Sequence, residues 1–98
     1  MSDGTEHRYR PDRIRLLHVD DDRAFLDVTE AFLTRELPSV DITTVEQPKA
    51  AIERIRAESF DCIVSDYDMP GQTGLEFLSD VREVATRLPF ILYTGKGS

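Results

Sequence analysis

Acidic side chains follow two separate apolar runs of the sequence, and a hydroxyl follows a third. The first group is Asp20-Asp21-Asp22, the second is Asp66 with Asp68, and the hydroxyl belongs to Thr94. If the three runs are parallel strands of one sheet, their carboxyl ends lie at one edge and these side chains converge there. Carboxylates that lie close together repel one another unless some are protonated or a cation binds between them. The spacing therefore predicts a cation site.

The predicted cation is Mg²⁺, because hard oxygen ligands with water nearby favour it over softer metals. We expect His18 to face the core or a helix and Cys62 to be a small buried hydrophobic residue, so neither competes for the metal. An aspartate beside Mg²⁺ is either a plain ligand or a nucleophile that takes up a phosphoryl group as an acyl phosphate. In the second case, the hydroxyl of Thr94 offers a hydrogen bond to a phosphoryl oxygen.

The elements that would position these side chains alternate between strand and helix. Short apolar, β-branched runs indicate strands, and apolar residues at helical spacing indicate helices. Alternation with short connections implies right-handed crossovers and a parallel sheet with helices on both faces, which is a three-layer αβα architecture of the α/β class. The predicted strands are 14–19, 40–45, 61–66 and 88–93, and the predicted helices are 23–37, one that begins near 48, and about 75–87.

Each predicted helix has an apolar stripe. Asp22 is a suitable N-cap for the first helix, Pro38 ends it, and the breaker-rich segment 67–74 is a loop that turns the chain toward the third helix. The stripes consist of Phe25, Val28, Phe32 and Leu33 in the first helix, Ala51, Ile52 and Ile55 in the second, and Leu75, Leu78, Val81 and Ala85 in the third.

The composition indicates one small domain with one core. The chain has 98 residues, of which 40% are hydrophobic and 32% are charged, and its formal net charge is −7. That acidity disfavours direct binding to nucleic acid, and no apolar run is long enough to span a membrane. We expect residues 1–12 to be a flexible tail and 13–98 to be the domain. The single Cys62 cannot form an internal disulfide, which favours a cytoplasmic protein.

Three segments together resemble the receiver domain of two-component response regulators. They are Leu16–Asp22, Val64–Gly71 with Gly74 following, and Pro89–Thr94, and they occur in the right order and at fitting separations within 14–98. The resemblance implies a flavodoxin-like sheet of five parallel strands in the order 2-1-3-4-5. We expect this chain to contain that domain truncated after strand four.

The resemblance implies a role for each matched position. Asp66 corresponds to the phosphoacceptor, and Asp20 and Asp21 correspond to the acidic pair that helps bind Mg²⁺. Asp68 corresponds to the position whose backbone carbonyl completes the metal site. Thr94 corresponds to the switch hydroxyl, which moves toward the phosphoryl group.

Two features of the family's pattern lie on a fifth strand, beyond this chain. They are the lysine that contacts the phosphoryl group and the switch aromatic residue. Lys96 sits on the loop after Thr94, a different place in the fold, and Tyr93 is not the usual switch aromatic. Without a fifth strand, 90–93 becomes an unpaired apolar edge, so we expect either a longer parent protein or a homodimer or other partner that covers it.

The leading hypothesis is a receiver that takes a phosphoryl group on Asp66 from a histidine kinase or a phosphotransfer protein, and that switches a partner or an attached output domain. Its phosphoryl acceptance and autodephosphorylation are self-catalysed, so we do not class it as an enzyme. One alternative is a receiver-like interaction module that is not phosphorylated. Another rests on Asp66-Tyr67-Asp68, which resembles the Asp-x-Asp of haloacid-dehalogenase-type phosphatases. Those enzymes carry the pair after the first strand and need further motifs and a longer chain.

Overall fold

Strands and helices alternate along the chain, and the computed structural model describes residues 12–94. Almost all of the predicted tail, and Lys96, lie outside the described residues. The elements are β1 (Ile14–Val19), α1 (Arg23–Glu36), β2 (Val40–Val45), α2 (Pro48–Ala57), β3 (Cys62–Asp66), β4 (Asp68–Met69), β5 (Gln72–Thr73), α3 (Gly74–Val84) and β6 (Phe90–Tyr93). Among them, no helix combines the length and the apolar character needed to cross a bilayer.

The main sheet has four strands in the order β2-β1-β3-β6. All three strand pairs are parallel, which confirms the predicted α/β class. The register sets Val19 of β1 against Ser65 of β3, and Asp66 of β3 against Tyr93 of β6. The carboxyl ends of the three strands that carry the candidate residues therefore lie side by side, with β6 at the edge of the described sheet.

The side chains of β1 alternate between the two faces of the sheet, as in any strand. Leu17 and Val19 belong to a buried cluster with Ile63 of β3, Ala51 of α2, and Phe77 and Val81 of α3. His18 points to the opposite face, where its ring meets Phe25 of α1 edge-on at a centroid distance of 5.8 Å. Helices α2 and α3 thus cover one face and α1 covers the other, which gives the predicted three layers.

Two of the helices begin at side-chain caps. The Asp22 carboxylate accepts a hydrogen bond from the Phe25 amide at 3.1 Å, which confirms Asp22 as the N-cap of α1. Helix α3 begins with a reciprocal capping box: the Glu76 amide donates to the Thr73 hydroxyl at 3.2 Å, and the Thr73 amide donates to the Glu76 carboxylate at 2.8 Å. Each cap satisfies amides that the first helical turn leaves without a partner.

The predicted apolar stripe of α1 was wrong in part. Leu26 is the fully buried residue of this helix, whereas Val28 and Phe32 are 67% and 51% exposed. Both sets of residues have helical spacing, so periodicity alone leaves the rotation of the helix open. The sheet selects the face that carries Leu26, and the Arg35 guanidinium lies 5.6 Å from the centre of the outward-facing Phe32 ring.

The predicted stripe of α3 was shifted in a similar way. Leu75 is 54% exposed and Phe77 is fully buried. The capping box starts the helix at Gly74, and Gly74, Phe77 and Val81 are its buried residues. These positions are three and four residues apart, so they share one helical face.

The segment between β3 and α3, which the sequence predicts to be a loop, contains a short two-stranded sheet. Strands β4 and β5 pair antiparallel, with Pro70 and Gly71 as the connecting residues. Gly71 has φ +82°, a conformation that side chains with a Cβ rarely adopt, as expected for the third position of a type II turn after proline. Cys62 is only half-buried rather than fully buried, and burial raises the pKa of its thiol.

Candidate metal centre

Three carboxylates converge where β1 and β3 end. Asp20, Asp21 and Asp66 each offer one oxygen, and the three oxygens lie within 4.8 Å of one another. Asp20 and Asp66 are buried, whereas Asp21 is exposed. The two elements that carry these residues are neighbouring parallel strands, so their ends deliver the acidic groups to one place. Solvent therefore reaches the cluster on the side of Asp21.

Backbone amides hold the two buried carboxylates in place. The Asp22 amide donates to Asp20 Oδ1 at 2.8 Å, and the Asp68 amide lies 3.3 Å from Asp66 Oδ1. Each donor is two residues beyond its acceptor, where the chain turns out of the strand. Hydrogen bonds from N–H groups partly compensate a carboxylate for the water that it loses on burial.

A tyrosine and a histidine complete the surroundings of Asp20. The Tyr93 hydroxyl donates a hydrogen bond to Asp20 Oδ2, and the same hydroxyl lies 2.9 Å from His18 Nε2. A phenol has a single O–H hydrogen, and Tyr93 donates it to the Asp20 carboxylate. The hydrogen bond between His18 and the phenol oxygen must therefore be donated by His18 Nε2. The structure therefore assigns His18 the tautomer that carries its hydrogen on Nε2.

Burial governs the protonation of these two side chains. It lowers the pKa of His18, although the nearby Asp20 and Asp66 act in the opposite direction. It raises the pKa of Tyr93, and the hydrogen bond to Asp20 raises it further. A neutral imidazole and a protonated phenol match the donor pattern that the hydrogen bonds require.

The other predicted site residues lie at the same edge but outside the carboxylate cluster. The Asp68 side chain is exposed, and its backbone amide is what approaches Asp66. Thr94 is exposed and directly follows Tyr93, whose Cα is in register with that of Asp66. The Asp22 carboxylate is engaged as the cap of α1, as predicted.

Sequence reasoning missed Tyr93, His18 and Gly74 as parts of this site. His18 is the next-to-last residue of β1 and Tyr93 is the last residue of β6, and a polar side chain so near the carboxyl end of a largely apolar strand is the available signal. Gly74 was interpreted as turn chemistry, but its amide donates to the Tyr67 carbonyl at 2.6 Å. An added Cβ at Gly74 would lie 2.9 Å from the Asp66 carbonyl oxygen, so this glycine lets α3 start against the end of β3.

The donor set fits a hard divalent cation. All three clustered side chains offer carboxylate oxygens, and within residues 12–94 the cluster contains no cysteine or histidine. Oxygen donors with solvent access are the environment in which Mg²⁺ keeps part of its water shell. A divalent ion at this position would offset the repulsion among three carboxylates that lie this close together.

The comparisons with known proteins agree with this geometry. The family model described as the response regulator receiver domain matches residues 16–98. The chain therefore belongs to the response regulator receiver domain family. Domains of this family act generally as signalling modules in phosphorelays.

Several curated relatives are two-component response regulators. The chain is 36% identical over 87 residues to the two-component response regulator ARR14 of Arabidopsis thaliana, a match that covers 89% of this chain and 23% of ARR14. It is 30% identical over 79 residues to the transcriptional regulatory protein FixJ of Bradyrhizobium diazoefficiens, covering 81% of this chain and 38% of FixJ. The chain thus spans well under half of the length of either relative.

Solved structures show the same fold. The chemotaxis response regulator CheY4 of Vibrio cholerae superposes with a TM-score of 0.76 at 26% identity, and the match covers 88% of this chain and 72% of CheY4. A second match is to a chain of the structure of the histidine kinase ThkA in complex with the response regulator TrrA. It has a TM-score of 0.75 at 27% identity and covers 87% of this chain and 72% of the matched chain. These neighbours confirm the flavodoxin-like, CheY-like architecture.

Proposed function

We propose that this chain is the phosphoacceptor part of a phosphorelay receiver, in which Asp66 takes up the phosphoryl group. The observation that carries the proposal is the position of Asp66: a buried carboxylate at the end of β3, within 4.8 Å of oxygens from Asp20 and Asp21. These three side chains, with the backbone carbonyl of Asp68, would hold Mg²⁺. Thr94 would serve as the switch hydroxyl.

The chemistry follows from what each residue offers. An oxygen of Asp66 attacks phosphorus, the bond from phosphorus to the donor's leaving atom breaks, and an acyl phosphate forms on Asp66. Phosphoryl transfer depends mainly on positioning and charge neutralisation, and Mg²⁺ supplies the latter when bound. Asp20 and Asp21 would bind the Mg²⁺ that offsets the negative charge of the site. Thr94 directly follows Tyr93, the residue in register with Asp66, and its hydroxyl would donate a hydrogen bond to a phosphoryl oxygen.

We propose a histidine kinase or a phosphotransfer protein as the donor. The match to a structure in which a response regulator is bound to a histidine kinase supports the kinase. We further propose that residues 13–98 are the part of the receiver domain up to its fourth long strand, that the protein is cytoplasmic, and that it does not itself bind nucleic acid, in keeping with its net charge of −7. Its only chemical turnover would be its own phosphorylation and dephosphorylation.

Exposure of the chain to acetyl phosphate and Mg²⁺ tests the assignment of Asp66. We expect wild type to gain one phosphoryl group by intact-protein mass spectrometry, and this adduct should be lost in base, as acyl phosphates are. Asp66→Asn should abolish the adduct. Asp68→Asn is the matched control: it changes an exposed carboxylate two residues away but keeps the backbone carbonyl, so it should retain the adduct.

Other outcomes would identify the alternatives. If neither this chain nor a version extended to the length of a full receiver domain gains the adduct, the receiver-like interaction module is the better description. Rapid, Mg²⁺-dependent hydrolysis of a phosphate ester such as p-nitrophenyl phosphate would instead support a phosphatase. An adduct that persists in Asp66→Asn would show that another residue is the acceptor.

We also propose that a second copy of the chain covers β6. This strand is at the edge of the described sheet, and its Ile91 side chain is 55% exposed. Exposed apolar edge strands pair readily with other chains. We expect light scattering coupled to size-exclusion chromatography to give a dimer for wild type and a monomer for Ile91→Lys, which places a charge on that edge. A monodisperse wild-type monomer would contradict the proposal.

A further inference from the structure

The Asp20 carboxylate is held at both of its oxygens by different parts of the chain. Oδ1 accepts a hydrogen bond from the Asp22 amide at 2.8 Å, which is a local contact within the loop after β1. Oδ2 accepts from the Tyr93 hydroxyl, which lies two strands away on β6. Asp20 is fully buried, so protein contacts such as these two orient its carboxylate, and bulk water does not.

The Tyr93 hydroxyl also has a second hydrogen-bond partner, on the side away from Asp20. His18 Nε2 lies 2.9 Å from the phenol oxygen, and the ring of Phe25 packs against both rings at centroid distances of 5.8 Å and 5.9 Å. The hydroxyl therefore accepts one hydrogen bond from His18 and donates one to Asp20. A hydroxyl engaged on both sides cannot rotate away without breaking a hydrogen bond in a largely buried setting, which is costly.

We infer that Tyr93 is a positioning residue for the metal site: its hydroxyl fixes the orientation of the Asp20 carboxylate, and it thereby joins that site to β6, the strand that ends at Thr94. This inference rests on the proposed Mg²⁺ site. Partners that hydrogen-bond a metal ligand from behind set its orientation, and their removal typically reduces metal affinity by about 10- to 100-fold. Because the Asp22 amide still holds one oxygen in the absence of the phenol, we expect an effect near the lower limit.

Tyr93→Phe removes this hydroxyl and leaves the ring. We expect its Mg²⁺ affinity to fall by about 10-fold, measured by titration of Mg²⁺ into nitrogen-15-labelled protein and observation of the Asp20 and Asp21 amides. Tyr67→Phe is the matched control. It also removes the hydroxyl of a half-buried tyrosine, but the hydrogen bonds of Tyr67 with Tyr93 and Gly74 are made by its backbone and remain. It should bind Mg²⁺ as wild type does. Urea unfolding in EDTA establishes that both variants are folded at the titration temperature.

A second measurement begins with the wild-type protein and needs a variant only as its control. The nitrogen-15 shifts of His18 should show the hydrogen on Nε2 in wild type, and Mg²⁺ should displace the Nε2 resonance at constant pH, because the ion acts on Asp20 and Asp20 is bonded to the phenol. His7, the other histidine of the chain, serves as the internal reference. In Tyr93→Phe, the Mg²⁺-induced displacement should disappear.

The possible results separate this inference from the proposed function. The role of Tyr93 is supported if Tyr93→Phe binds Mg²⁺ more weakly, Tyr67→Phe does not, and Mg²⁺ displaces the His18 Nε2 resonance in wild type. If wild type binds Mg²⁺ and Tyr93→Phe binds it equally well, or if His18 does not respond, the inference is overturned and the proposed function stands. If wild type does not bind Mg²⁺, both are overturned.

Discussion

Replacement of Phe77 with alanine is expected to lower the free energy of unfolding by about 3–5 kcal/mol. Phe77 is fully buried in α3, and its ring meets Phe90 of β6 edge-on at a centroid distance of 5.5 Å. The substitution removes the largest fully buried side chain of the described residues and leaves a cavity between the helix and the edge strand. Since domains of this size are stable by only about 5–15 kcal/mol, much of the stability should be lost.

Leu75→Ala is the matched control for this prediction. Leu75 lies two residues earlier on the same helix and is 54% exposed, so its truncation should change the free energy of unfolding by no more than about 0.5 kcal/mol. Urea unfolding followed by circular dichroism measures both variants under the same conditions. A larger loss for Leu75→Ala than for Phe77→Ala would show that α3 packs on the face first expected from its sequence.

Gly74→Ala is expected to damage both folding and phosphoryl acceptance. The added Cβ would overlap Leu92 Cδ2 and lie 2.9 Å from both the Asp66 carbonyl oxygen and Tyr67 Cα. Backbone atoms cannot move aside as a flexible side chain can, so α3 and the end of β3 must separate. We expect a loss of about 1–3 kcal/mol, as for other overpacked positions, and a strongly reduced yield of the Asp66 adduct with acetyl phosphate.

Gly71→Ala separates this effect from the general cost of replacing a glycine. Gly71 has φ +82°, so alanine there is strained by about 1 kcal/mol, but its Cβ would meet no atom within 4 Å. Gly71→Ala should therefore lose stability while it keeps the adduct under conditions where it is folded. A Gly74→Ala protein that is folded and phosphorylated as fully as Gly71→Ala would show that the contact with Asp66 is unimportant.

The sequence predicted the sheet well because its signals are local. Strands β1 and β2 have the predicted bounds, 14–19 and 40–45. The first is a short, largely apolar run that stops at three aspartates, and the second is a β-branched, alternating run that follows Pro38. The convergence of Asp20, Asp21 and Asp66 followed from the parallel arrangement alone, because the carboxyl ends of neighbouring parallel strands share an edge.

The orientation of the helices could not be predicted in the same way. In α1, the sets that contain Leu26 and Val28 both fit helical spacing, and in α3 the same holds for Phe77 and Leu75. Which set is buried depends on the sheet surface opposite the helix and, for α3, on the cap at Thr73. That is tertiary information, and a window of one helix does not contain it.

The environment of Asp20 is the clearest case of what a local pattern cannot show. Nothing near Asp20 in the sequence indicates a phenol, and nothing near Tyr93 indicates a carboxylate. The contact exists because β3 lies between β1 and β6 and the register brings the ends of all three strands level. Topology and register together, rather than residue type, create this part of the site.

The hydrogen bond from Tyr93 to Asp20 joins residues 73 positions apart, and the contact from Tyr93 to His18 joins residues 75 positions apart. Contacts of such long range close a loop that contains most of the chain, so they cost more conformational entropy than contacts within one helix or turn. During synthesis, Asp20, Asp21 and Asp66 all leave the ribosome before Tyr93 does. The acidic residues can therefore come together before β6 docks, but the hydrogen bond from Tyr93 that orients Asp20 can form only afterwards. With the role inferred for Tyr93, a chain on which β6 has not yet docked is a poor phosphoacceptor, because it lacks the hydrogen bond that orients Asp20.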